Sequence, residues 1–181
     1  MPLLPKKDQP DRPDYTLVQK AWWDAILTVY KHSDTCPMRM PLEMRIMGGS
    51  DIIMAPQRGN KLGTCAIEVL TLHSARDIWR PFAQEVLDVW MKLREGVEGG
   101  LNIRPHWAKE WRGFKVDGRE WGDVLREEVY KQEIEEFLTV MDGVGKEHGW
   151  TRGDLKARFG NHFLDGLFFS QQGVRGVNGK A

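Results

Sequence analysis

The chain has no surplus of either charge: 26 Lys and Arg balance 26 Asp and Glu over 181 residues. A nucleic-acid binder needs a basic excess to neutralise phosphates, so no nucleic-acid partner is expected. Cysteine is scarce. Cys36 and Cys65 form no Cys-x-x-Cys pair, which excludes a zinc ribbon or a dithiol redox motif. Both are expected as free, mostly buried thiols in a reducing compartment. No run approaches the roughly 20 apolar residues of a membrane span. The N-terminus lacks the apolar core of a signal peptide, so the default expectation is a cytoplasmic protein. The five histidines (His32, His73, His106, His148 and His162) do not fall at metal-ligand spacing, and no metal is expected. Three motifs are absent: the phosphate loop Gly-x-x-x-x-Gly-Lys-Ser/Thr, the dinucleotide fingerprint Gly-x-Gly-x-x-Gly after a strand, and the Gly-x-Ser-x-Gly elbow.

What is present is an ordinary globular composition, 41% hydrophobic and 29% charged, which supports one folded domain with a real core. Tryptophan is abundant, with 8 residues. Such large side chains need a core or a ligand to cover.

Residues 1–14 hold Pro2, Pro5, Pro10 and Pro13 and read as a poorly ordered tail or linker. The spacing predicts a helix over 16–31, capped by Thr16. Leu42-Glu43-Met44-Arg45-Ile46-Met47 alternates with period two, which predicts a strand with Glu43 and Arg45 on one face. Residues 51–55 are expected to form a second short strand and 65–72 a mostly buried one, with Glu68 as its only carboxylate and His73 at its end. A helix is predicted over 77–94, with Pro81 in its first turn. Another is predicted over 121–141, with a solvated charged face. Residues 151–154 read as a polar turn before a last short helix, and 171–181 as a flexible tail. The fold class that follows is α+β, an antiparallel sheet flanked by helices.

Two stretches carry polar groups of chemical interest. Glu43 and Arg45 share a strand face about 7 Å apart along the chain. They make either a solvated surface pair or a joint ligand contact. Arg104-Pro105-His106-Trp107-Ala108-Lys109-Glu110-Trp111 packs an imidazole, an ammonium and two indoles into eight positions. His106 has the reference pKa of an acid, base or donor near neutrality. Lys109 is a cation able to stabilise a developing anion. The alternative is a loop whose polar residues only cap helices. Glu68, buried by pattern, needs a partner. It either pairs with an arginine or shares the cleft of Glu43 and Arg45.

Together, Pro41-Leu42-Glu43-Met44-Arg45, the span from Ala55-Pro56 to Leu72, and Arg104-Pro105-His106-Trp107-Ala108-Lys109 resemble the C-terminal, substrate-side domain of the D-arabinono-1,4-lactone oxidase group of aldonolactone and alditol oxidases. These are FAD flavoproteins of the vanillyl-alcohol-oxidase type. Asn161-His162-Phe163-Leu164-Asp165 is similar to the closing segment of that group, which often reads Phe-x-Asn-x-x-Leu. The likeness covers most of residues 15–170.

The resemblance implies an incomplete cap domain that oxidises a CH-OH group by hydride transfer to flavin. It assigns Arg45, His106 and Lys109 to catalysis. Glu43, Arg45, Glu68, His106 and Lys109 would bind substrate, and Arg45 and Lys109 would contact FAD from the substrate side. The substrate would be a sugar lactone or polyol. The partner would be an FAD-binding domain in cis or trans, because no FAD-binding half is recognised in these residues. Membrane association, mitochondrial in some relatives, is implied by the family alone. In the alditol oxidase branch the position aligned with Glu68 is a histidine, so that branch's substrate geometry does not transfer. Two other readings stay open: a non-catalytic remnant or interaction module, and a small-molecule binding module unrelated to flavin. Around Glu43, Arg45 and His106 the lone chain is expected to show an apolar or tryptophan-rich face, larger than a monomer usually tolerates.

Overall fold

The computed structural model describes residues 1–169. The chain divides into two compact units, Met1–Trp121 and Gly122–Ala181. It is α+β, as the sequence predicts. Among the described residues no helix is long and apolar enough to cross a membrane. The expected tail at 171–181 lies outside the described residues.

The first unit opens with a surprise. The proline-rich segment, expected to be loosely ordered, forms an antiparallel hairpin of β1 (Leu4–Lys6) and β2 (Gln9–Asp14). Pro5 stands opposite Pro13, in a two-stranded ribbon whose edges make few demands on backbone N–H groups. The hairpin is tied down at its start. Leu3 N donates to Gly63 O at 2.9 Å, Cys65 N donates to Met1 O at 2.9 Å, and Leu3 is buried against Val18 and Cys65.

Helix α1 (Thr16–Lys31) follows at the predicted bounds. Its cap differs from the expectation. Thr16 is inside the helix, and its N–H and hydroxyl both donate to Asp14 Oδ1, at 2.8 and 2.6 Å. These bonds hold the Asp14 carboxyl below the usual range.

Strand β3 (Glu43–Met47) pairs antiparallel with β4 (Thr64–Glu68). The register sets Met44 opposite Ile67 and Ile46 opposite Cys65, so this face is the apolar one. Cys65, Met44 and Ile67 pack into the cluster of Leu3 and Val18. β4 is shorter than the predicted 65–72, and His73 begins a 3-10 turn (His73–Ala75) rather than ending a strand. The second strand predicted at 51–55 is absent. Those residues form a turn, closed by Ala55 N donating to Ile52 O at 3.1 Å, and Met54 has φ of 67°. A strand needs extended backbone throughout, which a positive φ breaks.

Helix α2 (Arg76–Lys92) is continuous with the preceding 3-10 turn, which leaves Pro81 inside the helix, beyond its first turn. Phe82 and Val86 of α2 meet Ala25 of α1, with Val29, Leu42, Val69 and Trp79 around them. Trp90 Nε1 donates to Ala21 O at 2.9 Å. At the end of α1, Glu85 of α2 accepts from Lys31 at 3.0 Å and lies 2.7 Å from His32 Nε2. A short hairpin of β5 (Lys115–Val116) and β6 (Arg119–Glu120) closes the unit. Cys65 is buried, but Cys36 is exposed, against the expectation of two buried thiols.

In the second unit the helix predicted over 121–141 is broken. After α3 (Trp121–Val124), which crosses the boundary between the units, come a π-helical turn (Leu125–Val129) and Tyr130 at φ −120°, outside helical geometry. Helix α4 (Lys131–His148) then runs on to Gly149, which takes the left-handed cap position at φ 75°. Gly145 is required for a different reason. A Cβ there would lie 2.5 Å from Trp150 O and 2.9 Å from the indole. The polar turn is a capping box: Thr151 and Asp154 satisfy each other's backbone N–H groups at the start of α5 (Arg152–Phe159). Asn161 caps α6 (His162–Leu164) by accepting from Phe163 N and Leu164 N. Phe137 and Phe168 meet with their rings tilted, 5.3 Å between centroids.

Candidate functional site: a four-charge platform on the sheet

The polar face of β3 and β4 follows directly from the register. Glu43 stands opposite Glu68, and Arg45 opposite Ala66. Two carboxylates facing each other across a ladder repel. Arg45 relieves this from the diagonal. Its Nη2 pairs with Glu43, and its Nη1 lies 3.5 Å from Glu68 Oε2. The other Glu68 oxygen is shielded from solvent and has the Lys109 ammonium beside it. The result is one chain of alternating charge, Glu43, Arg45, Glu68, Lys109, with a sum of zero. Both readings of Glu68 therefore hold together: it pairs with an arginine and it shares the face of Glu43 and Arg45.

Exposure separates the four. Glu68 is the buried end, with 15% of its side chain exposed, while Arg45 and Lys109 show 58% and 50%. The two cations and Glu43 thus present hydrogen-bonding groups outward, and Glu68 anchors them from below.

Lys109 arrives from the 104–111 stretch, which is held from two directions. On one side Trp107 Nε1 donates to Met54 O at 2.6 Å, and Arg104 Nη1 lies 3.4 and 3.3 Å from the carbonyls of Ala55 and Arg58. On the other, Arg76 and Arg80 of α2 both donate to Glu110 Oε1, at 3.0 and 2.7 Å, and Arg80 also donates to Arg112 O at 2.9 Å. Trp107 meets Trp111 edge-on at 5.7 Å, and Trp111 meets Trp121 at 6.3 Å. Trp111 is buried. The tryptophans therefore secure the loop rather than form an open face. The exposed large apolar side chains include Ile46, on the face of β3 opposite to Arg45, Ile52, and Trp23 on α1.

The structure thus brings together four of the five expected site residues. His106 is the exception. It is exposed, and its Nδ1 accepts from Ala108 N at 3.2 Å, a bond internal to its own turn. Among the described residues, no hydrogen bond joins its ring to the side chains of the platform. The clamp of Arg76 and Arg80 is not part of the sequence expectation, although two arginines four apart share one face of a helix and signal it. Met54 carried no signal at all.

The arrangement is an exposed sheet face with alternating charge, completed by a lysine from a distant loop, and it can offer donors and acceptors to a polar molecule. The chain matches the family model for D-arabinono-1,4-lactone oxidase over residues 22–165, and it belongs to that family. No curated protein and no solved structure matches it.

Proposed function

We propose that this chain is the substrate-side domain of a flavin-dependent sugar-lactone or polyol oxidoreductase. The observation that supports it is the platform, built from the strand pair and the distant lysine in a member of a lactone oxidase family. A sugar lactone is uncharged and rich in hydroxyl and carbonyl oxygens. A charge-balanced face offers it donors and acceptors without attracting ions.

In this reading Glu43 and Glu68 accept from substrate hydroxyls. Arg45 donates to a substrate oxygen and keeps its second N–H on Glu43. Lys109 places an ammonium where negative charge develops, and one such preorganised donor is worth about 3–4 kcal/mol in comparable sites. His106, which is exposed, would reach the substrate from the same stretch as Lys109. When bound, FAD supplies the two-electron acceptor for the CH-OH carbon. The donor set suits the ring of such a cofactor: Arg45 and Lys109 are half-exposed cations. It does not suit the pyrophosphate, for which the sequence has no glycine-rich loop. The FAD-binding domain is accordingly a partner of this chain, in cis or in trans.

The test mixes the purified chain with the FAD-binding domain of a family member and adds an aldonolactone or alditol without oxygen. Bleaching of the flavin absorbance that needs this chain, and that Arg45→Ala abolishes, is the expected result. No complex and no bleaching with any such domain would leave a non-catalytic module as the function. Flavin retained by the chain alone after desalting would refute the division of labour.

A further inference from the structure

Lys109 reaches Glu68 from a stretch without a strand or helix of its own. What it has is a tight turn, in which Lys109 N donates to His106 O at 3.0 Å. Trp107 lies inside that turn. Its indole N–H bond to the Met54 carbonyl, at 2.6 Å, is therefore only two residues from the ammonium.

Met54 is itself unusual. It occupies the third position of the Ile52–Ala55 turn at φ 67°, where glycine or asparagine is the usual choice. A non-glycine residue in that region persists when its surroundings hold it there. An indole donor on its carbonyl is such a hold. The 51–55 turn and the 106–109 turn thus fix each other through one hydrogen bond, and Arg104 adds weaker contacts from the same stretch.

We propose that Trp107 is a positioning residue. Its bond to Met54 locks the 106–109 turn in the one orientation that sets the Lys109 ammonium on Glu68. The proposal rests on the reading of the Glu68–Lys109 pair as part of the ligand platform. The two indoles of the stretch then differ in what they do. Trp111 fills the interior, and Trp107 carries the alignment.

The experiment measures amine labelling of Lys109 in the purified chain with acetic anhydride, quantified by mass spectrometry against Lys7, which is exposed at the hairpin turn. Trp107→Phe keeps the ring and removes the donor. It is expected to raise Lys109 labelling about threefold relative to Lys7, within the range that one hydrogen bond commands. Glu68→Gln should raise it as well. Should Trp107→Phe fail to fold, indole N–H exchange in the unaltered chain, read by NMR, stands in: the bonded Trp107 indole is expected to exchange more slowly than the exposed Trp23 indole, by about tenfold or more. Unchanged labelling in Trp107→Phe, or equal exchange of the two indoles where that measurement stands in, with a rise in Glu68→Gln, would overturn the positioning role and leave the platform standing. Unchanged labelling in Glu68→Gln would show that the pair does not form in solution and would overturn both.

Discussion

Replacing Lys109 by methionine removes a cation and leaves a carboxylate oxygen behind it with nothing to bind. Glu68 is 15% exposed, and its second oxygen is 3.5 Å from Arg45, too long for a strong bond. The stranded oxygen is shielded from water. An acceptor left so costs about 1–3 kcal/mol, and the nearby Arg45 charge places the expectation near the lower half of that range. The opposite change, Glu68→Gln, leaves Lys109 half-exposed and free to hydrate. Its cost is that of an exposed ion pair, about 0–1 kcal/mol. For a chain of this length, 1 kcal/mol moves the midpoint by about 2–4 °C. Thermal unfolding followed by circular dichroism should therefore show Lys109→Met lower by about 2–8 °C and Glu68→Gln by about 4 °C or less, with Lys109→Met the lower of the two. The double variant should recover most of the Lys109→Met loss, because the orphaned charge is gone. Equal losses in the two single variants, or a double variant that falls by their sum, would refute the argument that Glu68 is the buried partner.

Met54→Val places a branched side chain at φ 67° and should cost about 1–2 kcal/mol, while Met54→Gly should leave the unfolding midpoint unchanged or higher. Gly145→Ala would improve an ordinary helix, but here its Cβ meets the Trp150 carbonyl, so a loss of about 1–3 kcal/mol is expected in denaturant titration. The bonds from His32 and Lys31 hold the Glu85 carboxyl below its ordinary value of 4.5. The unfolded chain then binds the proton more readily. The contribution of Glu85 is present above pH 4.5 and is lost as pH falls through the folded value. Glu85→Gln should flatten that acid limb, by less than about 1 kcal/mol because the group is partly exposed.

Much of this arrangement is legible in the sequence, for identifiable reasons. The alternation of Leu42 to Met47 shows the strand because one face needs the core and the other does not. The three-and-four spacing shows α1 and α2 for the same reason. The break at Tyr130 is not legible. Neither glycine nor proline marks it, and the extra residue is absorbed by a π turn in which Tyr130 N donates to Leu125 O. The run Ile52-Ile53-Met54 has strand composition, but the decisive fact is one backbone angle at Met54. The meeting of Glu68 with Lys109 is beyond reading by pattern, since 41 residues of chain separate them and only the clamps on Trp107 and Glu110 close the distance. The hairpin at 1–14 was hidden by its prolines, which signal extended backbone as readily as disorder.

The clamp on residues 104–111 also bears on the order of events in folding. β3 and β4 are joined by residues 48–63, a shorter span than the one that brings in Lys109, and are expected to pair first, with Glu43, Arg45 and Glu68 in register. Lys109 joins only after a long loop has closed and α2 has offered Arg76 and Arg80 to Glu110. Closing the longer span costs more chain entropy, so this contact is expected to form later. The platform is therefore expected in two kinetic grades: a three-residue core tied to the strand pair, and a fourth member tied to the loop. A protease cut in the glycine turn at Gly99-Gly100 would erase the second and spare the first.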